Sequence, residues 1–109
     1  MNIDAETNQK IQNLQGLEHN FQALMMQKQT FQVEFNELET ALAEVEKTKD
    51  DVFKVLGQVM IKADKNSLKT ELKEKKDLLE IRLKSIEKQE LSMREEVERL
   101  RGEIVEKLQ

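Results

Sequence analysis

Ionisable side chains dominate this chain of 109 residues, in which 18 are Lys or Arg and 22 are Asp or Glu. They are the first place to look for chemistry. Paired carboxylates can do acid and base work only where a desolvated cleft drives their pKa values apart. Here the acids alternate with lysine at helical spacing, as in "ELKEKKD" at 71–77, which is the pattern of a solvated, ion-paired helix face. His19 is the single histidine and falls at an outer heptad position, so it reads as a solvated side chain rather than a base or a ligand. With no cysteine there is no thiolate, no disulfide and no cysteine metal cluster, which fits a reducing compartment. Gly16 and Gly102 lie outside any GxGxxG or P-loop pattern, so no phosphate cradle is expected. The expectation is a protein with no catalytic residue, no metal and no cofactor.

Apolar residues then become the functional candidates, and their spacing is informative. Leu14, Leu17, Phe21, Leu24, Phe31, Phe35, Leu38, Leu42 and Val45 follow one another at intervals of three and four, broken by Lys28. Leu72, Leu79, Leu83, Ile86, Met93, Val97, Leu100 and Ile104 do the same, broken by Lys76 and Glu90. A stripe this narrow, held over more than four heptads, is a coiled-coil seam, since only supercoiling keeps a 3.5-residue repeat facing its partner. Helices are expected at about 8–48 and 66–108, each roughly 60 Å long at 1.5 Å per residue, with Asn66 or Ser67 capping the second.

Between the seams stands "DVFKVLGQVMIK", Asp51 to Lys62, rich in Val, Phe and Ile and without helical periodicity. Gly57-Gln58 suits a two-residue type II′ turn, which predicts strands at 52–56 and 59–63. That register sets Leu56 against Val59, Lys54 against Ile61 and Val52 against Ala63 on one face, with Val55 against Met60 and Phe53 against Lys62 on the other. Both faces are apolar, and neither a polar face nor a covering helix is evident in the sequence. A lone hairpin of this kind is marginal in water, so Phe53, Val55, Leu56, Val59, Met60 and Ile61 are expected to assemble edge to edge with hairpins of other chains into a sheet or barrel. The fold class is therefore mainly α: two long helices forming an antiparallel coiled coil, joined by one β-hairpin, within a single domain spanning 1–109.

In order and spacing around one hairpin, "QKQ" at 27–29, "VFKVLGQVMIK" at 52–62, "ELKEKKDLLEIRL" at 71–83 and "IEKQE" at 86–90 resemble the beta-type subunits of the prefoldin family. The alpha type carries a second hairpin, which this chain lacks. The resemblance implies an ATP-independent holdase in a hexamer of two alpha-type and four beta-type subunits. Such a complex takes non-native polypeptides and passes them to a group II chaperonin in the cytoplasm. A competing reading of the same heptads is a purely structural coiled-coil adaptor or tether.

Near the ends of the coiled coil, Ile3, Ile11, Val105 and Leu108, beside the seam residues Leu14 and Ile104, form the candidate client patch. Met25 and Met26 offer a secondary contact, and Leu78 and Ile81 are expected to pack against a neighbouring subunit. Neither nucleic acid nor membrane is expected as a partner. The charge of −4 leaves no basic face, no stretch is apolar enough to span a bilayer, and the amino terminus lacks the pattern of an export signal. Lys28 lies opposite either Ile86 or Met93, and in both registers it is one layer from Glu90, so those two side chains are expected to form an ion pair.

Overall fold

The computed structural model describes residues 3–109. Its elements run α1 (Ala5–Lys47), β1 (Val52–Leu56), β2 (Val59–Ala63) and α2 (Lys65–Leu108). The strands form a two-stranded antiparallel sheet in the register expected from the turn, with Val52 opposite Ala63 and Leu56 opposite Val59. Gly57 has φ of 61°, and no other described residue has positive φ, as a type II′ turn requires.

Both helices start earlier than the apolar periodicity suggests, because an aspartate precedes each. The Asp4 carboxylate accepts from the Thr7 amide at 2.6 Å, and that of Asp64 accepts from the Ser67 amide at 2.9 Å and the Ser67 hydroxyl at 3.0 Å. The cap of α2 is therefore Asp64 rather than Asn66 or Ser67. Ser67 is the donor at the third helical position, where an exposed amide needs an acceptor. These bonds hold both carboxyls below the usual range, each chiefly through its bonds to the residue three positions on.

Backbone contacts divide the chain into two compact units, and both helices contribute to each. One comprises the residues up to Gln29 with Lys84–Gln109, and the other is Thr30–Leu83. In the first, Leu24, Ile86, Leu100 and Ile104 are buried, as is Thr7 at the next seam position before Leu14 and Lys10. In the second, Leu42, Leu79 and Leu83 are buried. Every expected seam position is buried or half-buried. Among the described residues no large side chain reaches complete burial, because a two-helix seam has water on both flanks. Each buried Leu or Ile still contributes about 1.5–3 kcal/mol.

The helices run antiparallel in both units. Lys10 pairs with Glu103 at 3.4 Å and Glu18 with Arg101 at 3.0 Å in one, and Glu39 with Lys76 at 3.9 Å in the other. Aromatic contacts fix the layer. Arg94 lies 5.2 Å from the Phe21 ring centre. With Lys28 opposite Ile86, Phe21 faces Met93 and Arg94 is adjacent. With Lys28 opposite Met93, Phe21 would face Leu100, six residues and roughly 9 Å of helix from Arg94. The first register is the one present.

Candidate functional site

An apolar run between two charged helices must put its side chains somewhere, and in this chain they are left open to water. Phe53, Val55, Leu56, Val59, Met60 and Ile61 are all exposed, from 48% at Ile61 to 67% at Met60. The two faces are not equivalent. Val52, Lys54 and Ala63 are half-buried, all on one face and toward its base, whereas Phe53, Val55 and Met60 on the other face are open throughout. The expectation that no helix covers the hairpin is corrected to that extent: one face is partly covered at its base.

Lys54 ties that face to α2. Its ammonium donates to both Glu71 carboxylate oxygens, at 2.7 and 2.9 Å, and Lys75 approaches the same carboxylate at 3.4 Å. The Lys54 hydrogen bond is the main reason the Glu71 carboxyl lies below its ordinary value. At the base, Lys65 donates to the Thr48 carbonyl at 2.5 Å, satisfying an acceptor at the end of α1 where a cation is favoured. Lys62 pairs with Asp51 at 3.4 Å. None of these ties was expected from the sequence. The available signal was a single lysine in the middle of an apolar strand face, a position that calls for a carboxylate.

In the other unit, the candidate client residues separate into three groups. Ile3, Val105 and Leu108 are exposed, Ile11 and Leu14 are half-buried, and Ile104 is buried in the seam. Ile104 therefore supports its neighbours from beneath rather than presenting surface of its own. Ion pairs lie nearby: Lys10 approaches both Glu6, at 3.8 Å, and Glu103, and Arg99 pairs with Glu96 and Glu103. The Lys10 hydrogen bond holds the Glu103 carboxyl below its usual value. Met26 is exposed and Met25 half-buried.

The polar break in this seam is closed as expected. Lys28 lies 3.3 Å from each oxygen of Glu90, with both side chains partly buried, and Arg94 stands 3.7 Å from the same carboxylate. Further exposed apolar residues are Leu78 and Ile81, as expected from their off-seam positions, and Val33 and Leu91, which sequence reasoning overlooked. The same criterion, an apolar residue outside the heptad stripe, would have found both. Among the described residues there is no group of side chains placed to hold a metal ion, and no helix is long and apolar enough to cross a membrane.

Residues 8–109 match the family model described as Prefoldin subunit. The chain is 36% identical to the prefoldin subunit beta of Methanothrix thermoacetophila, over 97% of this chain and 90% of that one. It is 39% identical to the prefoldin subunit beta of Pyrobaculum neutrophilum, over 80% of this chain and 71% of that one. Its fold is similar to the crystal structure of the prefoldin beta subunit from Thermococcus strain KS-1, with a TM-score of 0.86, 32% identity, and 94% and 92% of the two chains covered.

Proposed function

The chain belongs to the prefoldin subunit family, and on that premise we propose that it acts as one beta-type subunit in a hexamer of two alpha-type and four beta-type subunits. The family consists of chaperone subunits that assemble with one another, not of enzymes, and membership replaces the reading of a structural adaptor or tether. In the proposed complex the chain is an ATP-independent holdase subunit. It grips non-native polypeptides through the apolar residues near its helix ends and delivers them to a group II chaperonin in the cytoplasm. No cofactor has a part in this scheme, and residues 1–109 work as one domain.

The observation that carries this reading is the hairpin: six apolar side chains, all exposed, on a sheet that among the described residues has two strands and both edges unpaired. Leaving them in water forfeits on the order of 25 cal/mol for each Å² of apolar surface. Pairing edge to edge with other subunits recovers part of that burial and removes the edges. Holding a client also needs no closed pocket. Ile3, Val105 and Leu108 offer shallow apolar contacts, and several subunits acting together gain through avidity what each lacks alone.

Native mass spectrometry of the chain with and without an alpha-type prefoldin subunit is the test, combined with suppression of aggregation of a chemically unfolded client. A hexamer that forms only with the partner and suppresses aggregation without ATP is the expected result. A chain that stays monomeric or dimeric in the presence of that partner overturns it.

A further inference from the structure

The hairpin has two apolar faces, and a closed ring of paired strands has one inside. Lys54 distinguishes the two faces. Its side chain lies on the face of Leu56, Val59 and Ile61, and it is held at 2.7 and 2.9 Å by the Glu71 carboxylate on α2 of its own chain. Turning that face into an apolar interior would either bury the ammonium or break the pair, and each costs more than apolar contact returns. The opposite face has no such tie. Phe53, Val55 and Met60 are exposed at 50, 63 and 67%, and the one charged residue among them, Lys62, sits at the open end of the hairpin beside Asp51, where its head group reaches water.

Resting on the reading that hairpins pair edge to edge between subunits, we infer that the Phe53, Val55 and Met60 face forms the interior of the assembled sheet. Its occupants are the same faces of neighbouring prefoldin subunits, while the Lys54 face stays turned toward the helices. Closure makes this contact self-complementary: once both edges of each hairpin are paired, the inward faces meet one another, and three large apolar side chains per hairpin meet like with like. Lys54 and Glu71 are thus positioning residues that set the tilt of the hairpin on α2 and the inward face with it.

Adjacent residues on β2 test the assignment, because Met60 and Ile61 point to opposite faces at nearly the same depth. In the complex with an alpha-type subunit, Met60→Glu is expected to abolish the hexamer in native mass spectrometry, and Ile61→Glu, which faces Lys54, to weaken it far less. Circular dichroism of each isolated variant checks that the helices remain. The chain has no cysteine, so Met60→Cys and Ile61→Cys provide a second readout in the assembled state. The thiol at position 60 is expected to react at least about tenfold more slowly than that at 61, since access limits thiol reaction. Assembly by Met60→Glu with loss in Ile61→Glu, faster reaction at 60, or loss in both glutamate variants overturns the face assignment and leaves edge pairing standing. Assembly by both variants overturns edge pairing itself.

Discussion

Lys28 and Glu90 are the residues at which the sequence is least like an ordinary coiled coil, and the structure joins them at 3.3 Å. Each alone would be a partly buried charge in an apolar stripe. Desolvation offsets much of their attraction, so the pair need not add net stability. Its use is to oppose one slide in register, since moving Lys28 by a heptad to face Leu79 would separate the two charges, whereas a slide to Met93 leaves them one layer apart. In thermal melting of the assembled complex, a double-mutant cycle of Lys28→Met and Glu90→Leu is expected to show coupling of about 1 kcal/mol, clearly above the roughly 0.5 kcal/mol of independent sites. Simple additivity would mean the two charges act independently. This pair was legible because both partners interrupt a strict repeat. The Lys54–Glu71 pair was not, because its partners lie on elements of different periodicity, and a helix carboxylate among many gives no sign that a strand lysine will reach it. Glu71 also gives a pH signature. Its carboxyl is lower in the folded chain than in the unfolded one, so its contribution is present above the ordinary carboxylate range and lost as pH falls through the folded value. The chain should therefore melt higher than Glu71→Gln at pH 7, and that difference should shrink at a pH below the ordinary carboxylate range. An equal difference at both pH values would assign Glu71 a role other than ion pairing.

Among the elements, two glycines with contrasting backbone conformations, Gly57 and Gly16, separate turn from helix. Gly57 holds φ of 61°, and a Cβ there would meet nothing within 4 Å, so any cost of Gly57→Ala comes from the backbone alone. The left-handed region costs a non-glycine residue about 1–2 kcal/mol. Gly16 is mid-helix, with equal space around its Cα, and Gly16→Ala should stabilise the chain by about 0.5–1 kcal/mol. Chemical denaturation of the two variants is expected to shift in opposite directions, and a stabilising Gly57→Ala would refute the type II′ turn. Strand limits and register were legible because a two-residue glycine turn leaves one in-register pairing. The helix starts were not, because apolar periodicity is silent over the first turn. Thr7, buried at a seam position, carries no hydrophobic mark, and Asp4 and Asp64 are caps only when their bonds three residues ahead are in view.

For the whole molecule, the surfaces proposed for assembly and for gripping draw on different units: the open hairpin lies in Thr30–Leu83, and Ile3, Val105 and Leu108 lie in the other. Nothing in the heptad pattern distinguishes those three from scattered surface residues, which are ordinary on any protein. The gripping role proposed for them rests on the family, whereas the need of the hairpin for partners follows from its own two faces. The separation can be tested because the two functions should fail independently. Deleting residues 1–12 and 103–109 removes five of the six client candidates, Ile3, Ile11, Ile104, Val105 and Leu108, and leaves the hairpin and its ties to Glu71 and Thr48 untouched. It also removes Lys10 and Glu103, whose cross-helix pair lies within reach of water and adds little to stability. The truncated chain should still enter the hexamer with an alpha-type subunit. Its suppression of client aggregation should fall severalfold, and a single substitution should show far less, because in the proposed complex several subunits grip each client at once. Full activity in the assembled truncation would move the gripping surface elsewhere, with the exposed Met26 as the first alternative. Loss of the hexamer would show instead that the helix ends contribute to assembly, against the division of labour argued from the two units.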